Sequence, residues 1–139
     1  MKKHYTLLDH TADLRIRITG DDPAELFRNA GLALFDLIGD PQSVVPEAAI
    51  ALEASGEDRA DLMVNFLREL LYLWTGGEKL VKMIDIRDIS ATAVSARVTI
   101  GSYVPGSHAI AREIKAVTYH QIEVSCTPAG WQATVVLDI

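Results

Sequence analysis

A single cysteine, Cys126, occurs in 139 residues, so no internal disulfide can form and folding must rest on an apolar core. The nearby apolar Val124 predicts an ordinary half-buried strand thiol, and no basic neighbour is present to make it reactive. Long hydrophobic runs are also missing. A secretory leader needs roughly 7–15 apolar residues and a spanning helix about 20, yet Asp9, His10 and Asp13 interrupt the stretch after Met1-Lys2-Lys3. A cytoplasmic protein with no membrane partner is therefore expected. Positive charge is scarce: 13 Lys and Arg against 19 Asp and Glu give a formal net charge of -6. A surface of that sign repels phosphate and disfavours a direct, counterion-releasing grip on RNA or DNA. Any work on nucleic acid should then pass through a protein partner. A βαβα order and a Gly-rich phosphate loop are both absent. No repeat, linker or low-complexity stretch divides the chain.

What is present suits one soluble domain spanning residues 1–139, since domains commonly run about 100–150 residues. The composition is 49% hydrophobic and 23% charged, enough apolar material for a core without a metal or disulfide staple. Residues 4–9 and 14–19 read as strands; Leu14, Ile16 and Ile18 alternate with Arg15, Arg17 and Thr19, the period-two pattern of one buried and one wet face. Asp22-Pro23-Ala24-Glu25 supplies an N-cap acceptor, a proline at the first helical position and a glutamate at N3, a variant of the capping box. Phe27, Ala30, Leu34, Leu37 and Ile38 follow on one helical face, and Gly39 stops the run. Residues 47–54 resume a strand.

A second helix is predicted from Asp58, with Asp61 at N3. Leu62, Phe66, Leu70 and Trp74, joined by Met63, Leu67 and Leu71, give it a broad apolar stripe that ends at Gly76-Gly77 and reads as core packing. Strands are then expected at 80–87, 91–100, around 110–117, 119–125 and 131–137. Pro105-Gly106-Ser107 marks a loop, and Pro128-Ala129-Gly130 a turn that makes the last two strands a hairpin. Two helices among strands of this order predict an α+β fold, a mainly antiparallel sheet with both helices packed on it.

Three local signals could carry chemistry. Asp9-His10-Thr11-Ala12-Asp13 lies between strands, where Asx and Thr side chains also serve simple turns; in the functional reading Asp13 points a carboxylate into a shared site. Over residues 113–120 strand parity places Glu113, Lys115, Val117 and Tyr119 on one face and Ile114, Ala116, Thr118 and His120 on the other. Such a glutamate–lysine pair is commonly a solvated face, although apolar residues bracket Lys115 and leave it able to hold an anionic group. Finally, Trp131, Ala133, Val135 and Leu137 alternate up to the last residue. Asp138 and the main-chain carboxylate of Ile139 then place two negative groups within one residue, inviting a cation or a lysine.

Taken together, His10-Thr11-Ala12-Asp13, the helix end Leu34-Phe35-Asp36-Leu37, the segment Glu113 to His120 and the end Val135-Val136-Leu137-Asp138-Ile139 resemble the archease family from near the first residue to the last. The region from Gly76 to Gly106 carries little of the likeness. The resemblance implies a strand-helix-strand-strand module with an inserted second helix unit. It also implies a non-catalytic activator of a GTP-dependent RNA ligase, the enzyme that joins 3′-phosphate or 2′,3′-cyclic phosphate ends to 5′-hydroxyl ends in tRNA splicing or RNA repair. Such an activator promotes guanylylation of the ligase histidine and sustains multiple turnover. The family's metal site transfers to Asp13, Asp138 and the carboxylate of Ile139, three hard oxygen donors that suit calcium first, then magnesium or manganese. Lys115 would contact the ligase or balance the carboxylates, with Glu113 and His120 as neighbouring partner-binding candidates. Two competing readings stand beside it. A metal-dependent hydrolase would use Asp13, Asp138 and His120, but metal hydrolases gather several His or Glu ligands, and none of the four histidines is paired at a ligand spacing. A general chaperone modulator rests on fold analogy alone.

Overall fold

The alternating stretch after the first turn forms the second of seven strands. In the computed structural model, which describes residues 4–9 and 13–139 (Asp9 by its backbone only), β1 (Tyr5–Asp9) leads to β2 (Asp13–Gly20) and then to helix α1 (Pro23–Ile38). Strand β3 (Ala48–Ser55) leads to helix α2 (Arg59–Gly77), followed by β4 (Lys79–Ile89), β5 (Ala93–Ser102), β6 (Ala116–Thr127) and β7 (Gly130–Asp138). All strand pairs are antiparallel, and the class is α+β as the element pattern requires. The strands divide into two sheets, one ordered β1-β2-β7-β6 and the other β3-β5-β4. Each helix touches both: α1 packs on β2 and β4, α2 on β6 and β3. That double contact explains why α1 buries more than the single stripe its periodicity suggested, with Leu26, Ala33 and Phe35 as inaccessible as Phe27 and Ile38. Among the described residues no helix is long and apolar enough to cross a membrane.

The two sheets share a topology. Setting β1 aside, β2-α1-β6-β7 is a strand-helix-strand-strand unit whose sheet runs first–third–second strand, and β3-α2-β4-β5, inserted after α1, repeats that order. The repetition extends to atoms at the strand-to-helix junctions, 36 residues apart from Gly20 to Gly56. Asp22 accepts from the Glu25 N–H at 2.8 Å and Asp58 from the Asp61 N–H at 2.8 Å. Glu25 and Asp61 reach back to the N–H groups of Asp21 and Glu57. Asn29 donates to the Thr19 carbonyl and Asn65 to the Ser55 carbonyl, both at 2.8 Å. This repeat, absent from the sequence reading, is visible in retrospect as Gly-x-Asp-x-Ala-acid-Leu-x-x-Asn.

Several local expectations are corrected. Residues 110–115 form no strand. The Ala111 N–H donates to the Ile38 carbonyl at 2.7 Å, so the backbone there caps the end of α1 instead of joining a ladder. The segments expected at 110–117 and 119–125 give way to one strand, β6, whose register slips between Thr118 and Glu123 with Gln121 at φ 54. The parity assigned to residues 113–120 fails accordingly, since Ile114 and Val117 are both buried. Gly77 lies inside α2, and the left-handed residue that ends the helix is Glu78. Cys126 is exposed rather than half-buried, near the hairpin end of the edge strand β6.

At both junctions glycine is required by the helix that follows. A Cβ on Gly20 would lie 2.5 Å from the Leu26 nitrogen, and one on Gly56 2.5 Å from the Leu62 nitrogen. Backbone cannot move aside as a side-chain tip can, so Gly20→Ala and Gly56→Ala should each destabilise the fold by about 1–3 kcal/mol in urea denaturation. A change within about 0.5 kcal/mol at either position would show that its junction is not tightly packed.

Candidate functional site

One end of the four-stranded sheet collects the acidic candidates. Asp13 opens β2 and Asp138 closes β7, and the β2–β7 register makes them direct cross-strand partners. The next pair, Leu14 and Leu137, points into the core, so alternation turns Asp13 and Asp138 to the opposite face, and both are exposed. Residues opposed in an antiparallel pair have Cα atoms about 4.5–5.5 Å apart, and like charges so placed repel. On the other side of β7, Ala116 at the start of β6 faces Asp138, and the Lys115 N–H donates to the Asp138 carbonyl at 2.7 Å. Lys115, Asp138 and Asp13 thus stand on three adjacent segments, and Ile139 follows directly. Arg15 lies two residues along β2 on the same face, its Nε buried without a hydrogen-bond partner among the described residues.

The donor set fits a hard divalent cation. Asp13 and Asp138 bring two carboxylates together at one end of the sheet, hard oxygen donors of the kind such ions prefer. Among the described residues no three His, Cys, Asp or Glu side chains converge as a metal-binding group, and Asp13 and Asp138 supply two. His10, Thr11 and Ala12 lie outside the described residues. His120 lies beyond Thr118, in the part of β6 where the register slips, and is not paired with Asp138 or its neighbours on β7. Glu113, Lys115 and His120 are all exposed.

Other polar residues hold the fold together. The Tyr5 hydroxyl donates to the Asp36 carboxylate, tying β1 to α1. They border a cavity of about 480 Å³ that Leu32, Lys82 and Met83 also line and that excludes the carboxylate pair. Tyr119 supports α2 in place of sharing a face with Lys115: the Arg68 guanidinium covers its ring at 4.4 Å and donates to the Val117 carbonyl, while the hydroxyl donates to Asn65 at 2.9 Å. His108 is buried. Its Nδ1 accepts from the Val104 N–H, so Nε2 carries the proton and donates to the Ser43 carbonyl at 3.1 Å. None of these contacts could be read from composition, because each partner is remote in sequence or irregular in backbone.

Burial and the adjacent Asp36 carboxylate both raise the Tyr5 pKa, outweighing the opposing effect of Arg112. A group whose folded pKa exceeds its unfolded value adds stability that is complete below the unfolded value, about 10 for tyrosine, and is lost as pH rises above it. The wild type should therefore lose stability above about pH 10 more steeply than Tyr5→Phe, as followed by thermal melts across alkaline pH. Parallel pH profiles would remove Tyr5 from the account.

Comparison with known proteins places this geometry in a family. The archease protein family model matches residues 5–139. The chain is 37% identical to the protein archease of Methanosarcina mazei, covering 99% of this chain and 97% of that one. It is 36% identical to the protein archease of Pyrococcus furiosus, with the same coverage. A protein archease-like chain of Drosophila melanogaster is 31% identical, over 97% of this chain and 90% of that one. The solution structure of Methanobacterium thermoautotrophicum protein 1598 superposes with a TM-score of 0.79 at 29% identity, covering 99% of this chain and 100% of the other. On this match over nearly its full length, the chain belongs to the archease family.

Proposed function

We propose that this chain, working as one domain, is a non-catalytic activator of a GTP-dependent RNA ligase of the tRNA-splicing type. In this reading it promotes guanylylation of the ligase and multiple turnover, in the cytoplasm, with a divalent cation held by Asp13, Asp138 and the carboxylate of Ile139. The observation that carries the reading is the β2–β7 register, which sets Asp13 opposite Asp138 beside Lys115. When bound, calcium, magnesium or manganese would supply a concentrated positive charge for phosphate oxygens. The chain's own residues do the rest. Asp13 and Asp138 present hard oxygens at the open end of a rigid sheet, and Lys115 offers a cation to an acidic group of the ligase or to the carboxylates themselves. The net charge of -6 fits a protein that reaches RNA through its partner. The hydrolase reading loses support because His120 lies in the slipped part of β6, outside the residues paired with the end of β7 that carries Asp138.

The test is ligation with a purified ligase and GTP. Turnovers per ligase should rise when this chain is added, and the chain alone should join nothing. Lys115→Glu should abolish most of the stimulation while changing stability by no more than about 0.5 kcal/mol, the usual range for an exposed side chain. Joining without ligase, or full stimulation by a well-folded Lys115→Glu protein, contradicts the proposal.

Metal binding is tested separately by calorimetric titration with calcium and manganese. Asp13→Ala and Asp138→Ala should each weaken binding, and so should a C-terminal extension, which turns the Ile139 carboxylate into a neutral amide. An N-terminal extension should have no effect. Equal affinities for the two extended proteins would remove Ile139 from the ligand set.

A further inference from the structure

Each sheet has two edge strands, and three of the four are blunted. The pairings of β1, β4 and β6 with their neighbours all contain a register shift, and Arg68 covers the β6 carbonyl of Val117. Irregularities of this kind and charges along the edge are what keep edge strands from pairing with other chains. Strand β3 has no such register shift, and Glu53 is its only charge. It pairs with β5 over eight consecutive residues without a shift, and its sequence AAIALEAS contains no lysine or proline. Ala49, Ala51 and Glu53 are exposed. The Gly56 N–H donates to the Thr92 carbonyl in the same ladder, which fixes the alternation: even-numbered β3 residues turn their backbone groups toward β5, and Ala49, Ala51, Glu53 and Ser55 turn theirs outward.

We propose that β3 pairs antiparallel with β3 of a second copy of this chain, joining two three-stranded sheets into one of six strands. The strand itself selects the register. Directly opposed residues share a sheet face, so a two-fold pairing must match outward groups with outward groups and core face with core face. Centring the axis on Leu52 achieves both. Leu52 meets the partner's Leu52, and Ile50 meets the partner's Ala54, extending the core face with apolar pairs. On the opposite face Ala51 meets the partner's Glu53. Because Ala51 also faces Arg97 on β5, the partner's Glu53 and Arg97 lie in one row, about 10 Å apart at Cα, with only an alanine methyl between them. Asp85, the other neighbour of Arg97, already holds Arg87 at 3.1 Å. Two-fold symmetry creates this glutamate–arginine contact twice. Centring on Ala51 instead would set the partner's Glu53 in the row of Ala49 and Thr99, with no cation. Strand β3 belongs to the sheet that lacks Asp13 and Asp138, so the pairing leaves both carboxylates open and is independent of the proposed activity.

Sedimentation equilibrium of the full chain from about 10 to 500 µM should show a concentration-dependent shift from monomer to dimer mass. Ala51→Pro removes an outward N–H, a change that edge strands tolerate, and should leave a monomer at every concentration. Glu53→Arg sets like charges in the row and should weaken dimerisation at least about tenfold, while Glu53→Arg with Arg97→Glu should restore it. The charge pair decides the matter even if the proline variant folds poorly, because both side chains are exposed. A wild type that stays monomeric throughout, or Glu53→Arg dimerising as strongly as wild type, overturns the proposal.

Discussion

The pairing of β2 with β7 brings together residues 13–20 and 131–138 in eight uninterrupted pairs. Everything between them must begin and end at this one seam. The core face of the seam is Leu14, Ile16 and Ile18 against Leu137, Val135 and Ala133, all at most 2% exposed. A slip of one residue in β2 would turn Leu14, Ile16 and Ile18 to the face that now carries Arg15, Arg17 and Thr19, so apolar burial fixes the register. The register in turn fixes Asp13 opposite Asp138. A repulsive arrangement of two carboxylates is thus held in place by the hydrophobic effect a few ångströms away, and the proposed cation site would rest on ordinary core packing.

Insertion of a second strand-helix-strand-strand unit after α1 converts that seam into a two-sheet body. Because α1 and α2 each contact both sheets, neither unit has a complete core without the other. The Phe27–Phe66 contact at 5.7 Å joins the helices where the units meet, and Gly31 admits the tips of Ile84 and Leu70 against α1. The chain returns from the inserted unit through residues 103–115, whose anchors are Ile114 in the core and the Ala111 N–H on the Ile38 carbonyl. This return delivers Lys115 to Asp138, so the placement of the lysine depends on the insertion as much as on β6.

Signals confined to a few neighbouring residues were legible in the sequence. The caps at Asp22 and Asp58, the alternation in β2 and the turn at Pro128-Ala129-Gly130 report local sterics and hydrogen bonds, and the structure contains each of them. The acidic residues that the family likeness joined, Asp13 and Asp138, prove to be cross-strand partners. What escaped depends on long-range choices. Alternation cannot say which strands pair, so the division into two sheets was hidden. Nor can it distinguish a strand from an irregular segment with one buried anchor, which is how residues 110–115 were misread. Parity put Tyr119 on the face of Lys115 because its actual cover, Arg68, lies on a distant helix. The junction repeat was open to inspection, but at 36 residues apart and inside unlike surroundings it gives no compositional signal.

The central claim is that the β2–β7 seam presents one divalent-cation site at the end of the four-stranded sheet. The most direct measurement is manganese-induced broadening of assigned amide resonances in the isotopically labelled chain. The account predicts selective broadening at Asp13, Leu14, Lys115, Ala116 and Asp138, with β3, β4 and β5 unaffected, and loss of the effect in Asp138→Ala. Broadening centred elsewhere, or the same pattern in Asp138→Ala, would contradict it.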